Sequence, residues 1–183
     1  MSLEGLNIHC VGIGGMGMAP LAIYMKEAGA QVSGQDDALS CMVKERLLCS
    51  EINLLSDTKV PEGTHRVVYS SAIDENDERL CEARAKGLIV LRRGEMLAEI
   101  SEGKRLCALV GSHGKTTTAA MIAHMIHENE APIYYVVGGF LADSDIPSAS
   151  FAGSEWLLAE VDESDGTIDG FSPEDEEIAI SEN

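Results

Sequence analysis

Short apolar runs alternate along this chain with longer amphipathic ones. Leu6-Asn7-Ile8-His9-Cys10-Val11 is a brief run that ends at a glycine cluster, which predicts a buried strand. Met18 to Ala28 predicts a helix stopped by Gly29, and Gln31-Val32-Ser33-Gly34 a second strand. The pattern then predicts a helix over Met42 to Leu48, a strand at Arg66-Val67-Val68-Tyr69, and a helix over Asn76 to Lys86 ended by Gly87. Leu88-Ile89-Val90-Leu91 predicts a strand and Glu95 to Ile100 a helix, with Glu102-Gly103-Lys104 as a turn or linker. A second unit follows. Leu106 to Val110 predicts a strand, and Lys115 to Glu128 a helix with Ala119, Ile122, Ala123 and Ile126 as its apolar stripe. Leu157-Leu158-Ala159 predicts a further short strand. Strand and helix in alternation imply an α/β fold, a parallel sheet covered on both faces. The boundary is expected near residues 101–105, dividing the chain into 1–103 and 104–183.

Composition narrows the function classes. The 183 residues are 45% hydrophobic but only 4% aromatic, so aliphatic side chains must fill the core. The net charge of −18 argues against nucleic acid and anionic membranes, which need a basic surface. No apolar run is long enough to cross a membrane, and no secretory leader pattern opens the chain. Five cysteines form no C-x-x-C pair, which argues against a disulfide framework or zinc ribbon and fits a cytoplasmic protein. All 13 Lys and Arg lie in residues 1–115, whereas residues 116–183 carry 15 acids and no Lys or Arg. An acidic solvated face explains the run Glu174-Asp175-Glu176-Glu177; for the stretch as a whole the alternative is that positive partners lie on sequence outside this chain.

Three motifs carry chemistry. Gly12-Ile13-Gly14-Gly15-Met16-Gly17 follows the first strand and opens a helix. Glycines there permit a tight turn and let N–H groups approach a diphosphate. Asp36, 22 residues after Gly14, stands where a ribose-binding carboxylate would be. A dinucleotide or another nucleoside diphosphate fits equally at this point. The second motif, Gly111-Ser112-His113-Gly114-Lys115-Thr116-Thr117-Thr118, resembles a P-loop, with Leu109 where the first glycine would stand. Its N–H groups would cradle the phosphates of ATP, Lys115 would neutralise the β/γ oxygens, and the Thr116 hydroxyl could ligate Mg²⁺. The third, Glu160-Val161-Asp162-Glu163-Ser164-Asp165-Gly166, brings carboxylates to a strand end, suited to metal and substrate positioning. His124, His127 and Glu128 have metal-ligand spacing, but a solvated helix face explains them better.

The order of these motifs resembles the Mur ligases of peptidoglycan synthesis. The resemblance rests on Ile8 to Met18, Val32-Ser33-Gly34-Gln35-Asp36, Tyr69-Ser70-Ser71-Ala72-Ile73 and Arg93-Gly94-Glu95-Met96-Leu97-Ala98-Glu99. It continues through Gly111 to Thr118, Val137-Gly138-Gly139 and Glu160 to Gly166. It implies a Rossmann-like doubly wound parallel sheet that binds a UDP-sugar, followed by the first part of a P-loop ATPase α/β domain. It implies that Gly12, Gly14, Gly15, Met16 and Gly17 cradle the UDP-sugar diphosphate, with Asp36, Ser70, Ser71, Ala72 and Arg93 around the nucleotide and sugar. Gly111, Ser112, His113, Gly114, Lys115, Thr116 and Thr117 would bind ATP. Lys115, Thr116 and Glu160 would be catalytic, the last two holding Mg²⁺. Asp162, Glu163, Ser164 and Asp165 would approach the muramoyl end.

The implied reaction is ATP-dependent ligation of L-alanine to UDP-N-acetylmuramate through an acyl phosphate. The chain ends inside the family's ATPase domain, before its Asp-His motif, adenine-binding segment and C-terminal domain. It is therefore expected to be a truncated form that does not ligate by itself. Leu54-Leu55-Ser56-Asp57 stands where the family has a Gly-His pair near the uracil. A tripeptide-recycling ligase, a non-catalytic nucleotide-binding module and an NAD-dependent protein are the competing readings.

Overall fold

The computed structural model describes residues 2–56, 59–141, 146–153, 155–161 and 180–181. Asp162, Glu163, Ser164 and Asp165 lie outside the described residues. The first sheet is built from β1 (Asn7–Val11), β2 (Gln31–Gln35), β3 (Asn53–Leu54), β4 (Arg66–Tyr69) and β5 (Ile89–Arg92). Its order is β3-β2-β1-β4-β5, and every pairing is parallel. Four helices accompany it: α1 (Met18–Glu27), α2 (Cys41–Cys49), α3 (Glu78–Ala85) and α4 (Arg93–Ser101). The second sheet contains β6 (Arg105–Val110), β7 (Tyr134–Val136), β8 (Ala149–Ser150), β9 (Trp156–Glu160) and β10 (Ile180–Ser181), in the order β10-β6-β9-β7-β8. Among the described residues only β7 and β8 pair antiparallel. Helix α5 (Lys115–Glu128) follows β6. The α/β reading with a doubly wound parallel sheet and a second P-loop-type unit holds.

Most elements fall within two residues of the pattern-based expectation, because periodicity and glycine stops agree there. Helix α3 begins later than expected, at Glu78, because the Asp77 side chain caps it by accepting from the Arg79 N–H at 2.9 Å. Helix α4 begins earlier, at Arg93, where the Glu95 carboxylate accepts from the Arg92 N–H at 2.6 Å. Strands β3, β7, β8 and β10 have no counterpart in the pattern-based reading; two or three residues give no measurable alternation.

Helix α1 joins the two sheets. Every residue from Met18 to Met25 is buried, so the helix has no solvated face over two turns. One side packs on Ile8 and Cys10 of β1, and one continuous apolar cluster extends through α1 to Leu106, Val136, Ala149 and Leu157 of the second sheet. Tyr24 stacks edge-on with Phe151 and Tyr134, at centroid distances of 5.3 and 6.3 Å. The Glu27 carboxylate accepts from the Phe151 N–H at 2.8 Å, and burial raises its pKa.

Candidate nucleotide and phosphate site

The strand order reverses between β1 and β4, the point where open α/β sheets form a crevice at their carboxyl ends. The turn after β1 lies in that crevice beside Ser70, which follows β4. Gly12 has φ +75°, and a Cβ there would lie 3.0 Å from the Ser70 Cβ, so only glycine fits. The Gly12 and Ile13 N–H groups donate to the Gln35 carbonyl at 2.9 and 3.2 Å, and Gly15 N–H to the Gly12 carbonyl at 3.3 Å. The Gly14 N–H donates to Asp36 Oδ2 at 2.8 Å, while Asp36 Oδ1 accepts from the Ala38 N–H, also at 2.8 Å. The N–H groups of Met16 and Gly17 have no protein acceptor among the described residues. They stand at the positive end of α1. Arg93, at the start of α4, lies so close to Gly17 that a Cβ there would be 2.9 Å from its Nη1.

The second turn follows β6. Leu109 is buried and pairs in register with Glu160 of β9, so the strand runs through the place of a P-loop's first glycine. The loop therefore starts at Gly111. Gly114 enters α5 with φ +80°, and the Lys115 amine donates to the Gly111 carbonyl. Among the described residues, no protein acceptor serves the N–H groups of residues 112–117. The Leu109–Glu160 register also explains why Glu160 reaches the loop. Its Oε2 accepts from the Thr116 hydroxyl at 3.0 Å, and its Oε1 from the Gly138 N–H at 3.0 Å. A Cβ on Gly138 would sit 2.4 Å from Glu160 Oε2.

Both turns open into one cleft of about 360 Å³. Gly15, Met16, Gly17, Ser70, Ser71 and Arg93 line it from the first sheet, and Lys115, Thr116, Gly138 and Glu160 from the second. Nine residues singled out from the sequence are thus brought together: Gly15, Met16, Gly17, Ser70, Ser71, Arg93, Lys115, Thr116 and Glu160. Asp36 does not line the cleft; its oxygens hold the Gly14 and Ala38 N–H groups. Ala72 donates its N–H to the Ser70 hydroxyl at 3.3 Å. His124, His127 and Glu128 are all exposed on α5, and the described residues contain no metal-ligating group of three. Gly138 was quoted for the resemblance but not counted as a site residue. Its signal was the Val137-Gly138-Gly139 run directly after an apolar stretch.

One polar cluster lies below the first turn. His9 on β1 is fully buried, its Nδ1 is 2.9 Å from the Ser33 hydroxyl, and its Nε2 has no partner among the described residues. Burial, assisted by the charge of Arg79, lowers its pKa to about 4.

Two α/β sheets, each presenting a glycine-rich turn of the phosphate-cradling kind to a shared cleft, define a nucleotide-binding class of protein. The family model described as "Mur ligase family, catalytic domain" matches residues 7–105, and the chain belongs to that family. It is 40% identical over 168 residues to a UDP-N-acetylmuramate–L-alanine ligase of Gloeobacter violaceus, covering 91% of this chain and 36% of that protein. A ligase of the same description from Bdellovibrio bacteriovorus is 40% identical over 187 residues, covering 100% of this chain and 40% of that protein. The crystal structure of UDP-N-acetylmuramate-alanine ligase from Thermotoga maritima superposes with a TM-score of 0.79 at 25% identity, covering 92% of this chain and 40% of that one. The chain therefore spans well under half the length of these relatives. Among the described residues, no helix is long and apolar enough to cross a membrane.

Proposed function

We propose that this chain carries the UDP-sugar site and the phosphate-binding part of the ATP site of a ligase that joins L-alanine to UDP-N-acetylmuramate. The observation that carries the reading is the single cleft shared by the Gly12–Gly17 turn and the Lys115–Thr116–Glu160 constellation. A carboxylate and an amine do not condense at neutral pH, so the carboxylate must be activated. An oxygen of the lactyl carboxylate attacks the γ-phosphorus of ATP and ADP leaves, giving an acyl phosphate. The alanine amine then attacks the acyl carbon, phosphate departs, and the amine loses its proton. Both steps need the two substrates in one cavity with their phosphates clamped.

The residues divide as follows. Met16 and Gly17 offer free N–H groups to the UDP-sugar diphosphate, with Arg93 beside them. Gly12, Gly14 and Gly15 shape that turn, and Asp36 holds it through Gly14. Ser70, Ser71 and Ala72 form the facing rim. Residues 112–117 receive the ATP phosphates through their N–H groups, and Lys115 leaves the Gly111 carbonyl to offset charge on the transferred phosphoryl group. Asp162, Glu163, Ser164 and Asp165 follow Glu160 closely in sequence and are assigned to the muramoyl end. The hydroxyl of Thr116 and the carboxylate of Glu160, 3.0 Å apart and both hard oxygen donors, suit Mg²⁺. When bound, that ion would offset charge between the β- and γ-phosphates.

The chain divides on this reading into a UDP-sugar unit, 1–103, and an incomplete ATP unit, 104–183, whose site is completed by chain present in the longer relatives. The test is calorimetric titration with UDP-N-acetylmuramate, with NAD as the control ligand. Saturable binding of the UDP-sugar alone supports the reading; binding of NAD alone overturns it in favour of an oxidoreductase. An acceptor screen with the chain completed to its relatives' length follows, and turnover of a tripeptide but not alanine would make it a recycling ligase.

A further inference from the structure

We infer that the Met16 side chain is a positioning residue that couples the first glycine turn to the P-loop. The inference rests on the site reading above and adds to it a link between the two halves.

From Gly12 to Gly17 only Ile13 and Met16 carry side chains. Ile13 is fully buried against Gly34, so Met16 is the one side chain the turn projects. It is 49% exposed and lines the cleft, yet its tip reaches the second sheet: a Cβ on Gly139 would lie 3.3 Å from Met16 Cε. The same Cβ would lie 3.4 Å from Thr116 Cγ2. The Met16 tip and the Thr116 methyl thus both border the space a side chain on Gly139 would take, and its neighbour Gly138 holds Glu160. A flexible, unbranched thioether can follow a small movement of either loop and stay in that space. A diphosphate on the Met16 and Gly17 N–H groups fixes the Met16 backbone. The tip then presses Gly139 and Thr116 into the arrangement that receives the nucleotide. By linkage, nucleotide must strengthen UDP-sugar binding by the same factor.

The experiment measures the affinity of the 183-residue chain for a non-hydrolysable Mg·ATP analogue, with and without saturating UDP-N-acetylmuramate. The wild-type ratio is expected to be about fivefold or more. In Met16→Ala the ratio falls to within about twofold of one, whatever happens to each separate affinity, and Met16→Leu is intermediate. Gly139→Ala attacks the contact from the other side. It is expected to lower the ratio in the wild-type background and to change nothing further in Met16→Ala. A wild-type ratio of one, or a full ratio retained in Met16→Ala, overturns the coupling while leaving the site reading intact. Failure of the wild-type chain to bind either ligand overturns the site reading and this inference with it.

Discussion

The two glycine turns are held in opposite ways. In the first, four N–H groups in succession, from Gly12 to Gly15, are already taken by protein oxygens, two of them by one carbonyl of Gln35 and one by Asp36. In the second, six successive N–H groups from residues 112 to 117 have no protein acceptor among the described residues, and the Lys115 amine folds back onto its own loop. The first turn is thus built by the protein, with two donors left over. The second leaves its successive donors free of protein acceptors, the arrangement that suits an anion. The same contrast extends to the sheets. The first is parallel throughout, whereas the second is mixed and packs one cluster against its own α5 and another against α1 of the first.

If the second turn depends on its ligand, removing the charge that folds over it must have the largest effect. Lys115→Ala is expected to weaken binding of a Mg·ATP analogue by about 10²-fold, the worth of a charged hydrogen bond. UDP-sugar affinity should fall far less in the same titration. An equal loss of both ligands would erase the distinction between the turns.

The first sheet should be the acid-sensitive region. His9 binds a proton near pH 6.5 when unfolded but only near pH 4 when folded, so its contribution is complete above pH 6.5 and lost on the way down to pH 4. Linkage puts the loss between pH 7 and pH 5 at about 2 kcal/mol. Urea unfolding at the two values reads it, and His9→Asn is expected to flatten the acid limb.

Gly138→Ala places a methyl against Glu160 and is expected to cost about 2 kcal/mol of stability as overpacking. It should also reduce the benefit of Mg²⁺ to nucleotide binding, since Glu160 must move. Asp36→Ala removes the acceptor for Gly14 and is expected to cost about 1 kcal/mol, read by thermal unfolding, with the P-loop titration unchanged.

Much of this arrangement was legible in the sequence because each turn sits between a strong strand signal and a strong helix signal. The glycine turns holding Gly12 and Gly114 could be read from the sequence, and both glycines take a positive φ. Three things could not. The pairing of Leu109 with Glu160 is a register between strands 51 residues apart, and no local pattern encodes it. The burial of α1 on both sides was present as the all-apolar run Met18 to Met25, but its second partner is a sheet formed 80 residues later. The spacing of Asp36 predicts a carboxylate near a ribose; that it also accepts from the Gly14 and Ala38 N–H groups is a contact no local pattern encodes.

Amide hydrogen exchange on the free and liganded chain tests the contrast between the turns most directly. The account predicts slow exchange at Gly12 to Gly15 in the free chain and fast exchange across residues 112–117, the latter slowed by a Mg·ATP analogue. Residues 112–117 already protected in the free chain, or a nucleotide that protects Met16 and Gly17 instead, would contradict it.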